Sequence, residues 1–460
     1  MGLRSSAAPA GDTLSRNLHL PFNAETLPPE WEWQRLDAIC DGIFDCLHST
    51  PDLVQNGPLV VRSQDIRSGV FRTEDAAHVS EATFHDRINR AEPRYGDLLY
   101  SREGTYFGIA AEVPPATRVC LGQRMVLIRP SISTVHHRFL QYWLNSPLLA
   151  SHVQGLRDGS VAERFNLPTI RGLPVPVPLL QTQKAIAHIV GTLDDKIELN
   201  RRMNATLEEM ARALFQSWFV DFDPVRAKAE GRQPVGMDAE TAALFPDGFD
   251  ETEGEIIPSA WRWVRMDQAA VVNGRSVGQE YPFSAIEYVD IASVQGGILQ
   301  GTATCSIRDA PSRARRLVGD GDTIWSTVRP NRRSYLFIHE PKPNLIVSTG
   351  FAVLTPKAIP PTYLYSWVTT DEFVSYLSYN ADGSAYPAVL PGRFSVARLL
   401  LPPKTILAAF EGRVGPVRAK IAKNALESLT LSDLRDLLLP RLLSGEIRVC
   451  DAERQLESVL

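Results

Sequence analysis

The strongest constraint on this chain is that it is written twice. LPPEWEWQRLD, Leu27 to Asp37, returns as IPSAWRWVRMD, Ile257 to Asp267, so Pro28, Trp31, Trp33, Arg35 and Asp37 find partners 230 residues on in Pro258, Trp261, Trp263, Arg265 and Asp267. Farther along, Gly96, Asp97 and Ser101 of GDLLYS match Gly321, Asp322 and Ser326 of GDTIWS at an offset of 225. Gly159, Ser160, Lys196, Ile197 and Asn200 match Gly383, Ser384, Lys420, Ile421 and Asn424 at 224. A drift this small is what indels in loops leave behind. The period is half of 460 residues, far beyond the roughly 20–50 residues of solenoid repeats, so each copy is a domain with its own appendage.

Each copy opens with short apolar runs (DLLYS, QRMVLIR; DTIWSTV, GFAVLTP) punctuated by Gly and Pro, which read as strands. RFLQYWLNS and TYLYSWVTT follow as short helices, and VPVPLL and LLLPP close the segments. The units are therefore mixed α+β. They cover residues 27–180 and 257–403, after an extension at 1–26 expected to be disordered.

Behind each unit comes a long helix. Residues 181–219 lack proline and repeat a seam every seven residues through Ile186, Leu193, Asn200, Leu207 and Leu214. The second copy, 404–449, carries Phe410, Val417, Asn424, Leu431 and Leu438. Matched heptad seams predict that the two helices pair as an antiparallel coiled coil, giving a pseudo-twofold molecule. Pro416 predicts a kink or a late start of the second helix. Between the copies, residues 220–256 form a connector whose DAETAALFP has a capping Asp and a proline stop, and 450–460 remain as a tail. Asn200 lies midway along its helix and Asn424 at the equivalent point. A buried Asn in a seam fixes register at some expense of stability, so these two are expected to face each other.

Composition narrows the function. Hydrophobic residues at 44% and charged residues at 22% are ordinary globular values, and no run of about 18 apolar residues could span a bilayer. The first residues lack the apolar stretch of a signal peptide, which points to the cytoplasm. The five cysteines, Cys40, Cys46, Cys120, Cys305 and Cys450, show no metal-ligand spacing and read as buried free thiols. A net charge of -5 argues against a general nucleic-acid-binding surface, so any such contact must be local.

Paired segments with a Pro-x-x-Trp opening, a Gly-Ser loop, a Leu-Pro run and a long helix resemble the specificity subunits of Type I restriction-modification enzymes. The likeness runs from Leu27 to Val449 and is most distinctive in WFVDFDPVRAKAEGRQPVGMDAETAALFP and PRLLSGEIRV. It implies two target recognition domains, each reading half of an asymmetric bipartite site in double-stranded DNA. It also implies helices that set the unread spacer and dock two modification (methyltransferase) subunits. Restriction subunits, the ATP-dependent translocase and nuclease, would complete the complex. S-adenosylmethionine, ATP and Mg would then belong to those partners, and this chain would be non-catalytic and hold no cofactor. The residues agree: there is no GxxxxGK[ST], and none of the Pro pairs after Leu27, Val113, Ile359 and Leu401 sits in an adenine-methyltransferase motif. These absences weigh against a self-sufficient restriction or modification enzyme.

Base-reading side chains must project from loops. Arg308, Arg313, Arg315 and Arg316 precede the GDTIWS strand, while Ser326, Arg329, Asn331, Arg332 and Arg333 end or follow it. This local basic stretch in an acidic chain points to DNA and away from a scaffold that binds only proteins. In the first copy the candidates are Arg62, Gln64, Ser101, Arg102, Thr105, Ser160 and Arg164, with Ser384 and Tyr386 as second-copy counterparts of the last two. Trp31, Trp33, Trp261 and Trp263 are expected to face the domain core and the helix junction.

Overall fold

The computed structural model describes residues 27–67, 69–103, 107–155, 165–278, 280–383 and 386–457. The chain divides into two compact units, one made of residues up to Lys196 together with those from Leu431 onward, the other of Ile197–Thr430.

In the first unit, β1 (Glu32–Arg35), β2 (Cys40–Asp45), β3 (Val54–Val61) and β4 (Ala77–His78) lead to the short helix α1 (Glu81–Ile88). Then come β5 (Leu98–Ser101), β6 (Ala110–Glu112), β7 (Val119–Leu121), β8 (Met125–Pro130), α2 (His137–Leu144) and β9 (Pro174–Val177). One antiparallel sheet has the order β2-β8-β5-β6 and a second the order β4-β3-β7, with β3 and β7 parallel. The Gly-Asp pair of GDLLYS makes the turn into the first sheet. Gly96 takes φ +90, which a Cβ disfavours, and the Asp97 carboxylate accepts the Arg94 amide at 3.1 Å and the Arg129 guanidinium at 2.7 and 2.9 Å.

The second unit repeats this topology. It contains β10 (Arg262–Arg265), β11 (Ala270–Val272), β12 (Ala285–Val289), β13 (Ala303–Ser306), β14 (Ala314–Leu317), β15 (Thr323–Ser326), β16 (Tyr335–Phe337), β17 (Leu345–Ser348), β18 (Phe351–Pro356) and β19 (Arg398–Leu401). Its sheets run β11-β18-β15-β16 and β13-β12-β17-β14, with β12 and β17 parallel. Gly321 at φ +78 and Asp322, which accepts the Gly319 amide at 2.7 Å, rebuild the same turn. The copies differ just before it: the first places helix α1 there, the second the edge strand β14.

A two-stranded ladder in each unit ties the tryptophan segment to the run that feeds a long helix, with Trp33 opposite Pro176 and Trp263 opposite Leu400. Trp33 meets Trp143 edge-on at 5.8 Å, Trp261 packs on Phe219 at 5.8 Å and Trp263 on Trp367 at 5.9 Å. These indoles belong to core and helix junction, as expected.

α3 spans Leu180–Phe219 and α7 spans Lys404–Leu443, 40 residues each. Pro416 does not delay α7. An interior proline costs about 3 kcal/mol, but Ile406, Leu407, Phe410 and Val414 are buried on the turns before it. At about 1.5–3 kcal/mol per buried side chain, they outweigh the proline. In the second unit, later residues of α3 meet earlier residues of α7: Asn204 donates to the Ile421 carbonyl at 3.1 Å, and Glu208 pairs with Arg418. The helices therefore pack antiparallel. α4 (Asp223–Ala229), α5 (Pro361–Val368) and α6 (Asp371–Tyr379) lie between them in sequence.

The end of α3 supplies Phe215, Trp218 and Phe219 to the second unit's core, around Tyr363 and Phe410. The end of α7 supplies Leu438, Leu442 and Leu443 to the first unit's core, with Ile186 and Val190. Each unit is thus closed by the helix of the other sequence copy. Residues 450–460, read as a tail, instead contribute most of helix α8 (Val449–Glu457), because Ala452 and Leu456 pack into that same core. All five cysteines are free, but only Cys46 and Cys120 are buried; Cys40 and Cys305 are half-buried and Cys450 is exposed. Among the described residues no helix is long and apolar enough to cross a membrane, and no group of three or more His, Cys, Asp or Glu is placed to hold a metal.

Candidate nucleic-acid interface

In both units the strand after the Gly-Asp turn runs buried to its last residue and opens into a loop. Ser101 and Ser326 are 0% and 1% exposed, which removes both from the set of base-reading candidates. The reason is their position as last residue of a core strand. Ser101 receives the Gly108 amide at 2.8 Å and donates its own to Ile109, and the Ser326 amide donates to Ser334 at 2.8 Å. The Ser326 hydroxyl turns inward to the Val328 carbonyl at 2.9 Å. These serines close the neck of a loop.

A second segment docks on each loop. The Phe165 amide donates to the Arg102 carbonyl at 2.9 Å, and the Val389 amide to the Thr327 carbonyl at 2.7 Å, equivalent bonds in the two copies. In the second unit the contact continues: Val328 bridges Ala388, the Arg329 amide donates to Pro387 at 2.7 Å, and the Arg329 guanidinium lies 4.4 Å above the Tyr386 ring. The segment after the Gly-Ser pair is therefore brought to the loop after the strand, a juxtaposition that sequence order did not reveal. Thr105, Ser160, Arg164 and Ser384 lie outside the described residues.

The remaining candidates divide by partner. Arg62 forks onto Asp65 at 2.9 and 3.0 Å, Arg102 pairs with Asp45 at 2.8 Å, and Arg333 pairs with Asp371 at 2.6 Å. That hydrogen bond holds the Asp371 carboxyl below its ordinary range. Arg316 is half-buried, 3.3 Å from the Ser276 hydroxyl. By contrast Arg308, Arg313, Arg315 and Arg332 are exposed and make no ion pair among the described residues, and Gln64 and Asn331 are exposed. Arg329 and Arg333, at φ 50 and 55, bracket one tight turn, Pro330–Arg332, that carries Asn331 and Arg332 outward. Left-handed residues with side chains are uncommon and cluster at functional sites. The sequence showed the arginines but not the carboxylates that occupy some of them, since Asp45 lies 57 residues from Arg102.

On the helix pair, Asn200 and Asn424 are each 1% exposed. Asn200 Nδ2 donates to Glu427 Oε2 at 2.8 Å, to the Asn424 carbonyl at 3.3 Å and to Ser428 Oγ at 3.3 Å. Asn424 Nδ2 donates to Asn204 Oδ1 at 2.8 Å. The contact between the two runs from side-chain amide to main chain, not from amide to amide.

Residues 80–209 match the family model described as the Type I restriction modification DNA specificity domain. Over 407 residues the chain is 28% identical to the Type I restriction enzyme HindI specificity subunit of Haemophilus influenzae, covering 76% of this chain and 86% of that one. Over 394 residues it is 21% identical to the MjaIX specificity subunit of Methanocaldococcus jannaschii, covering 83% and 84%. Among solved structures, the Type I S subunit from M. genitalium superposes with a TM-score of 0.55 at 14% identity, covering 92% of this chain and 98% of that one, a likeness of fold.

Proposed function

The chain belongs to the DNA specificity subunits of Type I restriction-modification systems, and from that premise we propose that its two units each read one half of a bipartite, asymmetric site in double-stranded DNA. As a specificity subunit it is the recognition member of its complex, not the catalytic one. The observation that carries the reading is the pair of equivalent loops: the same strand order delivers them in both units, yet one bears Arg102 and the other Arg329, Asn331 and Arg332. Asn331 and Arg332 are exposed while Arg102 is held by Asp45; equal scaffolds with different loops suit two different half-sites, with arginine on guanine and asparagine on adenine as the ordinary pairings. Arg308, Arg313 and Arg315 contribute phosphate contacts beside the second half-site.

In this reading the helix pair sets the spacer and docks two modification subunits, while restriction subunits join the assembly. S-adenosylmethionine, ATP and Mg reside on those partners, and the complex works in the cytoplasm. The test is methylation mapping of DNA from cells carrying this chain with its modification subunits. Two short sequences at one fixed spacing support the proposal. Methylation at a single continuous site, or none above a strain lacking the chain, overturns it.

A further inference from the structure

Resting on the reading that the helix pair sets the spacer, we propose that Asn200, Asn424 and Arg418 select a single register of that pair and so a single spacer length. The middle of the pair is held by polar groups. Between Leu193 and Ala211 of α3 the one buried residue is Asn200, and between Val414 and Leu431 of α7 the buried residues are Arg418 and Asn424. Each is engaged across the pair through N–H groups, while both amide oxygens and Arg418 Nε are buried without a partner among the described residues. Asn200 reaches Glu427, Ser428 and the Asn424 carbonyl, Asn424 reaches Asn204, and Arg418 pairs with Glu208, the second of its two contacts at 3.1 Å.

A seven-residue seam is by itself poorly protected against sliding by seven, because apolar residues then replace apolar residues. One slide would set Ile186 on Leu431 and Leu207 on Phe410, and the other Leu193 on Leu438 and Leu214 on Val417. The polar residues would not. A slide one way sets Asn200 against Val417, Asn424 against Leu193 and Arg418 against Arg201. The other way sets Asn200 against Leu431, Asn424 against Leu207 and Arg418 against Phe215. Both alternatives leave amides against methyl groups, and both take the buried guanidinium from its carboxylate, one of them placing it on a second guanidinium. Groups buried without partners forfeit their full hydration. One heptad is about 10 Å of helix, or about three base pairs of duplex. The aromatic and leucine clusters at the helix ends resist the slide as well, so removing the polar layer admits a slipped minority.

The test uses the full chain with its modification subunits, comparing wild type, Asn200→Leu/Asn424→Leu and the milder Asn200→Ser/Asn424→Ser by methylation mapping and by melting temperature. The expected result is that both half-site sequences persist in the variants while a second spacer, changed by about three base pairs, appears at a tenth or more of modified sites. The leucine pair should melt no lower than wild type. A single wild-type spacer in either soluble variant overturns the register lock. A wild-type pattern that is not bipartite instead overturns the reading on which it rests, so the two failures are distinguishable.

Discussion

Arg435 donates to Asp194 at 2.9 Å in the first unit, and the repeat partner of Asp194, Arg418, pairs with Glu208 in the second. Equivalent positions on the two long helices thus carry opposite charges. A tyrosine from the adjoining domain helix attends each: Tyr142 donates to Asp194 at 2.8 Å, and Arg418 lies 4.2 Å above the Tyr365 ring. Duplication preserved the geometry of the junction while its electrostatics inverted, and each charge finds its ionic partner on the other copy's helix.

Arg418 is 5% exposed while the Glu208 side chain is 40% exposed, which makes the pair asymmetric to mutation. Glu208→Gln strands a buried guanidinium and should destabilise the chain by about 2–4 kcal/mol. Arg418→Met leaves a carboxylate that can turn to water and should cost within about 1 kcal/mol. Urea unfolding of both variants checks the order; equal losses, or a larger loss in Arg418→Met, would contradict it.

Ser101 and Ser326 matched between the copies because they close loop necks, not because they touch a ligand. Ser101→Ala and Ser326→Ala should therefore lower stability by about 0.5–1.5 kcal/mol, the loss of one net hydrogen bond. DNA affinity and its salt dependence should stay unchanged. A tenfold loss of affinity in a fully folded variant would return these serines to the interface.

His136 stacks on His137 with centroids 4.6 Å apart. Burial, reinforced by the neighbouring His137 and Lys184, pushes its pKa down to about 4. The folded state therefore keeps this imidazole neutral, whereas the unfolded chain binds a proton below about pH 6.5. The stabilisation is complete above that value and is lost as the pH falls toward 4. His136→Gln should flatten the pH dependence of stability by about one proton across that window. Identical slopes for wild type and variant, measured by denaturant midpoints at several pH values, would refute the assignment.

The duplication, the α+β class and both long helices were legible because each rests on a periodic signal: a repeat, an alternation, a heptad. Pro416 suggested a late start that α7 does not have, because local propensity carries no knowledge of the four core side chains buried on the turns before it. The interface was legible in charge but not in occupancy. Arg62 and Arg332 look alike in sequence, yet Arg62 folds three residues forward onto Asp65 and Arg332 projects from a turn bracketed by left-handed residues. The docking of the segment after the Gly-Ser pair onto the strand loop joins residues about 60 apart, Arg102 with Phe165 and Thr327 with Val389, and no local pattern announces it.

That difference between arginines gives the sharpest test of the proposed interface. Arg62 and Arg102 are already spent on Asp65 and Asp45, so Arg62→Ala or Arg102→Ala should act through folding, uncovering a carboxylate at about 1–3 kcal/mol. The salt slope of DNA binding should hardly move. Arg313, Arg315 and Arg332 make no ion pair among the described residues; Arg315 sits on an edge strand, Arg313 in the turn before it and Arg332 on a projecting turn. Their alanine variants should keep wild-type stability and lose binding. A phosphate contact shows as a salt slope reduced by about 1, equally on all sequences, while a base contact costs about 1–3 kcal/mol and relaxes one position of one half-site. Gel shifts of the assembled complex at several salt concentrations, on matched and singly altered duplexes, separate these outcomes. If Arg313→Ala, Arg315→Ala and Arg332→Ala all bind like wild type at every salt concentration, this arginine face is a solvated surface and the second half-site is read elsewhere.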